Sequence, residues 1–308
     1  MKLAFLYAGQ GSQHAGMGKD LYQLPEFAAV LDSVQLDFDL KTLCFEGPEE
    51  TLAQTRYTQP CMVAFACGVT ALLAAEGIRP DAAAGLSLGE YSALACAGVF
   101  TPSQAISLAA FRGDAMAKAV QGRPCGMTAV LGLDREKLAA CCAEVADKGV
   151  CEIANYNCPG QIVISGQKAA VEAATEKLKE RGARRVIPLA VSGAFHTSLL
   201  QEASQKLEQV LQTYTFASPG VPVIANVSGV QETRDLKEVL KEQICHSVQF
   251  TQSIETMLAM GIDTFIEIGP GHSLSGFVRK TSRDVKTYSI DTVADMEKVL
   301  QEVHAHEC

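Results

Sequence analysis

The run Ala84-Gly85-Leu86-Ser87-Leu88-Gly89-Glu90 decides how this chain is interpreted. An apolar stretch precedes the run, and an Ala-rich helical pattern follows it. A Gly-x-Ser-x-Gly segment between a strand and a helix is typical of a nucleophile elbow, a sharp turn that exposes the serine hydroxyl. The glycines remove side chains where the turn would collide with its own backbone, and the helix N-terminus offers free N–H groups to an oxyanion. The pattern predicts a nucleophilic Ser87, with an ordinary tight turn as the alternative.

Length and charge narrow the class of protein. The chain has 308 residues, of which 48% are hydrophobic and 20% charged, and its formal net charge is −9. This length suggests two domains, or one large domain with an insertion. Because no long basic run is present, we expect no nucleic-acid interface. The acidic balance still allows anionic substrates, since a few cations can dominate the field inside a cleft.

The eleven cysteines lie mostly within Ala-rich apolar segments and form no Cys-x-x-Cys pair. We interpret them as small, reduced core residues of a cytoplasmic protein. The start of the chain is too short for a signal sequence and is typical of a buried strand, and we expect no membrane-spanning segment. We also expect no metal site, and interpret His304, His306 and Cys308 as a frayed tail rather than as ligands.

Alternating helices and short apolar strands predict an α/β protein. In the middle of the chain the elements follow the order β-α-β-β-α-β, which is the ferredoxin-like signature. The predicted segments are residues 127–133, 134–148, 150–156, 161–165, 167–181 and 184–189. We therefore predict an inserted small domain at 124–190 and a larger domain formed by 1–123 and 191–308.

A serine hydroxyl needs a base to become nucleophilic. His196 is the best candidate, because it lies in the loop between a strand and a helix, at the border of the insertion, and clefts between domains are common sites. The alternatives are a local helix-start role for His196, or His272 as the base. His246 follows an apolar helix and is interpreted as a helix-end cap.

An ordinary hydrolase triad lacks a convincing acid in this sequence. The aspartates between Ser87 and His196 are Asp114, Asp134 and Asp147, and none lies in a predicted strand-end loop. A carbonyl or amide can orient the imidazole instead, because the task is only to hold one tautomer.

Two further segments favour a site around Ser87. Arg112 lies on a strongly apolar helix, where a guanidinium is costly unless paired. It is either a structural ion pair, a side chain that reaches solvent, or a fork that grips a substrate carboxylate. The loop at 8–13 either supplies oxyanion N–H groups or is a plain strand-end turn; it lacks the Gly-Lys-Ser/Thr ending of a phosphate loop.

Several segments together resemble those of malonyl-CoA:acyl-carrier-protein transacylases of fatty-acid synthesis. In chain order they are Gly9–Gln13, Gly85–Ser92, Arg112, Asn155–Gln161, Gly193–His196, Val248–Phe250 and Ile268–Gly271. The resemblance covers nearly the whole chain. It implies an α/β-hydrolase-like large domain that carries a ferredoxin-like small domain.

The resemblance also implies roles for particular residues. Ser87 would be the acylated nucleophile, His196 its base, and the backbone N–H groups of Gln10 and Leu88 the oxyanion hole. Arg112 would bind the malonyl carboxylate, and Gln249 would orient His196 through its main-chain carbonyl. Phe195 would crowd an α-methyl branch on the acyl group, and Asn157 and Gln161 would bind substrate. No bound cofactor is implied, malonyl-CoA is the expected substrate and acyl carrier protein the expected partner, without nucleic acid or membrane.

The sequence departs from the family pattern at one position, and three other classes of protein remain as alternatives. Leu86 stands where the family often has histidine, so we expect altered acyl tolerance rather than lost activity. A polyketide-type trans-acting acyltransferase would use the same residues, a serine thioesterase or esterase would share the elbow, and a non-catalytic scaffold would make the elbow accidental.

Two basic clusters are candidate docking surfaces for an acidic carrier protein, or else solvated charged faces. The small-domain cluster comprises Lys177, Lys179, Arg181, Arg184 and Arg185, and the C-terminal cluster comprises Arg279, Lys280 and Arg283.

Overall fold

The computed structural model describes residues 1–191 and 193–305. Its strands are β1 (Leu3–Tyr7), β2 (Ala82–Gly85), β3 (Cys125–Leu131), β4 (Cys151–Cys158), β5 (Gln161–Gln167), β6 (Arg185–Pro188), β7 (Val223–Ile224), β8 (Thr264–Ile268) and β9 (Lys286–Ile290). Its helices are α1 (Pro25–Asp32), α2 (Leu40–Glu46), α3 (Glu49–Leu52), α4 (Thr55–Ala75), α5 (Gly89–Cys96), α6 (Pro102–Ala119), α7 (Arg135–Ala143), α8 (Lys168–Glu180), α9 (Gln201–Leu211), α10 (Leu236–Gln243), α11 (Phe250–Ala259), α12 (Ser273–Thr281) and α13 (Val293–His304).

The first sheet is parallel and has the strand order β7-β2-β1-β8-β9. Every residue of β1, β2 and β8 is buried, as expected for a parallel sheet that is covered on both faces. The carboxyl ends of these three strands lead into the loop at Gly9, the elbow at Ser87 and the turn at Gly269. Ligands of open α/β sheets bind at this edge, so the sheet brings the conspicuous sequence motifs together.

The second sheet is antiparallel and has the strand order β4-β5-β3-β6. One face packs on α7 and α8 in a separate core that includes Leu138, Ile164 and Leu178. From the other face, Ala129 and Val163 join the main hydrophobic core. The order β-α-β-β-α-β is therefore as predicted. Together with the parallel sheet, this unit gives the chain a two-sheet α/β architecture.

Strand β4 is fixed to the segment that precedes α11. The backbone of Val248 donates to the Ala154 carbonyl at 2.8 Å and accepts from the Tyr156 N–H at 2.8 Å. The Ser247 hydroxyl donates to the Ile153 carbonyl at 2.5 Å. These bonds fix the antiparallel sheet to a segment whose Val248 side chain shares a hydrophobic core with β1 and β2 of the parallel sheet.

Some sequence expectations need correction. The helix expected at 134–148 is α7 followed by a short 3₁₀ turn at Ala146–Lys148. Strand β9 and helix α13 were not predicted, and His304 ends α13 rather than lying in a frayed tail. His306 and Cys308 lie outside the described residues.

Helix α4 is long and apolar enough to cross a membrane by length and composition, which the sequence analysis did not expect. Within the fold, 78% of its apolar window is buried. The core helix of a soluble protein passes the same test, so the helix is weak evidence for a membrane span. The cysteines of the described ranges are free thiols, and most of them are buried.

Candidate active site

Ser87 lies at the turn between β2 and α5 with φ of 56°, in the left-handed region that residues other than glycine rarely adopt. The flanking glycines make the turn possible. A Cβ on Gly85 would lie 1.9 Å from the carbonyl carbon of Gly89, and one on Gly89 would lie 2.3 Å from the carbonyl oxygen of Tyr7. The strand–turn–helix geometry predicted for the elbow is therefore present, and the hydroxyl faces a cavity.

His196 lies directly beside this hydroxyl, with its Nε2 atom 2.8 Å from Ser87 Oγ. Its Nδ1 atom lies 2.8 Å from the main-chain carbonyl oxygen of Gln243. Because a carbonyl only accepts, Nδ1 carries the proton and Nε2 is free to accept one from the serine. Burial, followed by the positive charge of Arg112, lowers the pKa of His196 to about 4. The imidazole is thus neutral and oriented as a base near neutral pH.

The carbonyl that orients His196 belongs to Gln243, so the assignment of this role to Gln249 is wrong. Gln249 precedes α11, and its carbonyl accepts the first helical hydrogen bond, from the N–H of Ser253 at 2.9 Å. Its own N–H donates to the Asn226 carbonyl at 2.7 Å. Both backbone groups of Gln249 are therefore engaged away from the imidazole.

Arg112 reaches the same hydroxyl from α6, with its Nη2 atom 3.1 Å from Ser87 Oγ. The side chain is fully buried. Its Nη1 donates to Gln59 Oε1 at 2.8 Å, and Nη2 also donates to Gln243 Oε1 at 2.9 Å. Within residues 1–191 and 193–305 it forms no ion pair, and it does not reach solvent, so both structural alternatives for this residue are excluded. The guanidinium carbon also lies 5.6 Å from the centre of the Tyr91 ring. All of these partners are neutral, so the cation is available to a substrate carboxylate.

A cavity of about 280 Å³ opens over Ser87 between the two sheets. Among the residues predicted from the sequence, the cavity wall includes Gln10, Leu88, Phe195, Asn157 and Gln161. The Oδ1 atom of Asn157 is buried and has no hydrogen-bond partner in the described part of the chain. In the same part, the backbone N–H groups of Gln10 and Leu88 donate no hydrogen bond, so both remain available as donors.

The side chains of His272 and His246 have other surroundings. His272 is exposed and precedes α12, and His246 contacts the Glu242 carbonyl at 2.7 Å beyond the end of α10. Within the described residues, no group of three His, Cys, Asp or Glu side chains is placed to hold a metal ion.

Four buried polar residues of the site received no role from the sequence: Gln59, Glu90, Asn226 and Gln243. Asn226 fixes the elbow, because its Oδ1 accepts from the Ser87 N–H at 2.7 Å and its Nδ2 donates to the Gly85 carbonyl at 2.6 Å. The only sequence signal for such residues is a polar side chain within an apolar pattern, and that signal does not show which group the side chain will hydrogen-bond.

A nucleophilic serine, a neutral histidine and a buried arginine at the carboxyl edge of a parallel sheet define a serine acyl-transfer site. Residues 4–306 match the family model described as acyl transferase domain. The chain belongs to the acyl transferase family.

Relatives and solved structures are similar over the full chain. The malonyl CoA-acyl carrier protein transacylase of Bacillus subtilis (strain 168) is 44% identical over 306 residues, which are 97% of this chain and 96% of the relative. The solved structure of the protein with that name from Clostridium perfringens Atcc 13124 has a TM-score of 0.95 and 39% identity, covering 100% of this chain and 98% of the other. A malonyl-transacylase solved in complex with a type II PKS acyl-carrier protein has a TM-score of 0.94 and 36% identity, covering 98% of this chain and 100% of the other.

Proposed function

We propose that this chain moves a malonyl group from malonyl-CoA to the phosphopantetheine thiol of an acyl carrier protein through an acyl-Ser87 intermediate. One observation carries the proposal: Ser87 Oγ lies 2.8 Å from His196 Nε2 and 3.1 Å from Arg112 Nη2. A base and a carboxylate-binding cation therefore meet at one nucleophile. The names of the relatives described above agree with this chemistry.

The reaction has two halves that use the same base. His196 takes the Ser87 proton while Oγ attacks the thioester carbonyl, and the C–S bond then breaks as CoA takes that proton and leaves as the thiol. In the second half the carrier thiol gives its proton to His196, attacks the acyl-serine, and Ser87 recovers the proton as the C–O bond breaks. The N–H groups of Gln10 and Leu88 hold the oxyanion in both halves, where one such donor contributes about 2.7–4 kcal/mol.

The acyl group is selected by charge and by shape. Arg112 binds the malonyl carboxylate. Asn157 and Gln161, which lie on the antiparallel sheet and line the cavity, bind the rest of the substrate. Phe195 lines the same cavity and crowds an α-methyl branch. A Cβ on Gly193 would lie 2.0 Å from the Phe195 ring, so the glycine leaves room for this ring position.

The proposal extends to the domain plan and the cell compartment. The large domain, 1–123 and 191–308, is α/β-hydrolase-like, and the small domain, 124–190, is ferredoxin-like. The strand order β4-β5-β3-β6, with α7 and α8 on one face, supports the second assignment. The enzyme acts in the cytoplasm with malonyl-CoA as substrate and without a bound cofactor.

Intact-mass measurement after brief exposure to malonyl-CoA tests the function directly. The protein should gain the mass of one malonyl group, and a Ser87→Ala variant should gain none. Addition of carrier protein in its phosphopantetheine form should then remove the group from the enzyme and place it on the carrier. Absence of acylation in the unmodified protein, or its persistence in Ser87→Ala, contradicts the proposal.

A carrier protein of polyketide synthesis is the second candidate acceptor. The similar structure of a malonyl-transacylase with a type II PKS acyl-carrier protein favours considering it. Transfer rates from the malonyl-enzyme to a fatty-acid carrier and to a polyketide carrier separate the two acceptors. Rapid release of malonate to water, without transfer to either thiol, would identify a thioesterase or esterase instead.

A further inference from the structure

Glu90 is a buried carboxyl group that the proposed mechanism does not use. It lies in the first turn of α5, three residues after Ser87, and only 2% of its surface is exposed. The backbone N–H of Asn226 lies 3.4 Å from both of its oxygens, and Oε2 accepts a hydrogen bond from Gln243 Nε2 at 2.7 Å. A carboxyl group is costly in such a place unless its partners require it.

Gln243 connects this carboxyl group to the reacting residues. Its main-chain carbonyl accepts from His196, and its side-chain Oε1 accepts from Arg112 at 2.9 Å. Its Nε2 donates to the main-chain carbonyl of Ser87 at 2.7 Å as well as to Glu90. One fully buried amide therefore lies between the cation of the site and the carboxyl group below it.

Three neighbouring groups determine which way this amide points: Glu90, the main-chain carbonyl of Ser87, and Arg112. An ionised carboxyl group only accepts hydrogen bonds, and a guanidinium only donates them. The NH₂ group of Gln243 must then face Glu90, and its oxygen must face Arg112. The reverse orientation would set acceptor against acceptor at Glu90 and donor against donor at Arg112, among fully buried groups. Burial raises the pKa of Glu90 to about 7, and the bonds from Gln243 and Asn226 and the charge of Arg112 oppose that rise.

We propose that Glu90 is a positioning residue for acyl selectivity, which orients the Gln243 amide and thereby holds the Arg112 guanidinium facing Ser87. This inference rests on the proposed malonyl transfer. Its consequence is specific to the acyl group, because only an acyl group with a carboxylate uses Arg112. Above pH 7, where the carboxyl group is ionised, loss of the Glu90 charge should therefore weaken malonyl transfer far more than acetyl transfer.

The test compares acylation of Ser87 by malonyl-CoA and by acetyl-CoA in Glu90→Gln. A glutamine at this position has nearly the same shape but no charge, and it both donates and accepts, so it holds the Gln243 NH₂ group less firmly than a carboxylate does. The kcat/KM ratio of malonyl to acetyl should fall about tenfold, as expected when a hydrogen bond to a charged group is lost. The loss should lie mainly in the KM for malonyl-CoA, and Glu90→Asp, which keeps the charge, should recover part of the ratio.

Arg112→Ala supplies the matched background. In an Arg112→Ala background, Glu90→Gln should have no further effect on the ratio, because the guanidinium that it positions is gone.

The outcomes separate this inference from the proposed function. If unmodified protein is not acylated by malonyl-CoA, the function itself fails. If it is acylated but Glu90→Gln keeps the ratio, or lowers it equally with and without Arg112, the positioning role is wrong. Should Glu90→Gln fail to fold, Glu90→Asp decides the matter, since withdrawing the carboxyl group by one methylene must also lower the ratio.

Discussion

Arg112 retains a positive charge where solvent does not reach it, and burial lowers its pKa below the ordinary value. Its partners Gln59 and Gln243 are neutral amides, so the guanidinium has no anion in direct contact before substrate binds. An uncharged acyl group would leave this charge unpaired, whereas a malonyl carboxylate would form an ion pair with it.

Arg112→Ala should therefore reverse the acyl preference. Malonyl transfer is expected to lose roughly 2–5 kcal/mol of transition-state stabilisation, while acetyl transfer survives or improves. Steady-state kcat/KM for the two acyl-CoA substrates measures the effect. An equal loss for both acyl groups would remove Arg112 from the specificity role.

The lowered pKa of His196 sets the pH below which acylation of Ser87 should slow. With a pKa of about 4, the imidazole remains an unprotonated base well below neutral pH. The rate of Ser87 acylation by acetyl-CoA should stay level as pH falls from about 8 to about 5, and should decline only near pH 4. Acetyl-CoA is the appropriate substrate, because malonate titrates in the same range. A decline centred near pH 6.5 in folded protein would contradict the depressed pKa.

Glu90 and His196 contribute opposite pH dependences to stability. The folded-state pKa of Glu90 is raised to about 7, so its contribution is complete below pH 4.5 and is lost as pH rises through 7. The lowered pKa of His196 gives a contribution that is complete above 6.5 and is lost as pH falls through 4. Glu90→Gln should consequently gain free energy of unfolding relative to the unmodified protein as pH rises from 4.5 to 7. Urea unfolding at both ends of that range measures the difference, and a constant difference would refute the assignment.

The sequence identified the reacting residues better than the residues that orient them. Ser87, His196 and Arg112 lie within recognisable motifs, and the structure brings all three within hydrogen-bond distance. Which carbonyl faces His196 depends instead on the path of the chain between α10 and α11, and no local pattern encodes that path. Gln243 rather than Gln249 therefore became apparent only in three dimensions.

At the scale of elements, the junction of β2 and α5 tolerates no extra atom. Gly89 is the first residue of α5, and a Cβ there would lie 2.3 Å from the Tyr7 carbonyl oxygen on the neighbouring strand. Gly276 lies inside α12, and a Cβ there meets nothing within 4 Å. The two helical glycines thus form a matched pair with opposite surroundings.

Gly89→Ala should destabilise the protein and slow acylation, because the strand or the elbow must move to admit the methyl group. Gly276→Ala should be neutral or stabilising by about 0.5–1 kcal/mol, since alanine is the better helix former. Thermal unfolding and intact-mass acylation of both variants provide the comparison. A Gly89→Ala protein as stable and as reactive as Gly276→Ala would show that close packing at the elbow is unimportant.

The elements of the small domain were predicted, whereas strand β9 and helix α13 were not. The order β-α-β-β-α-β was evident from alternating apolar segments and from glycines at the helix ends. Strand β9 is only partly buried at the sheet edge, so its apolar signal is weak. Helix α13 does carry a local signal, the capping box of Thr292 and Asp295, which the sequence analysis overlooked.

At the scale of the whole molecule, the charge distribution favours one of the two candidate docking surfaces. In the small-domain cluster, Lys177 pairs with Glu144 at 3.2 Å and Lys179 pairs with Glu176 at 2.7 Å. In the C-terminal cluster, Arg279 donates to the Thr287 hydroxyl and makes no ion pair in the described part of the chain. This cluster lies on and after α12, which also contributes to the cavity wall. Its positive charge is therefore less neutralised, and Lys280 Nζ donates to Oε1 of Gln161 on the cavity wall at 3.2 Å.

Removing two charges from each cluster tests this interpretation. Arg279→Ala/Arg283→Ala should slow transfer from the malonyl-enzyme to an acidic carrier protein and weaken the salt dependence of that rate, because steering by opposite charge is lost. Lys177→Ala/Lys179→Ala removes the same charge from the small-domain cluster and should change neither quantity. Transfer to a free pantetheine thiol, which needs no docking, should be equal in both variants and in the unmodified protein. Stopped-quench measurement over a range of salt concentrations gives these rates, and a salt-insensitive rate, or a larger effect of the lysine pair, would assign docking elsewhere.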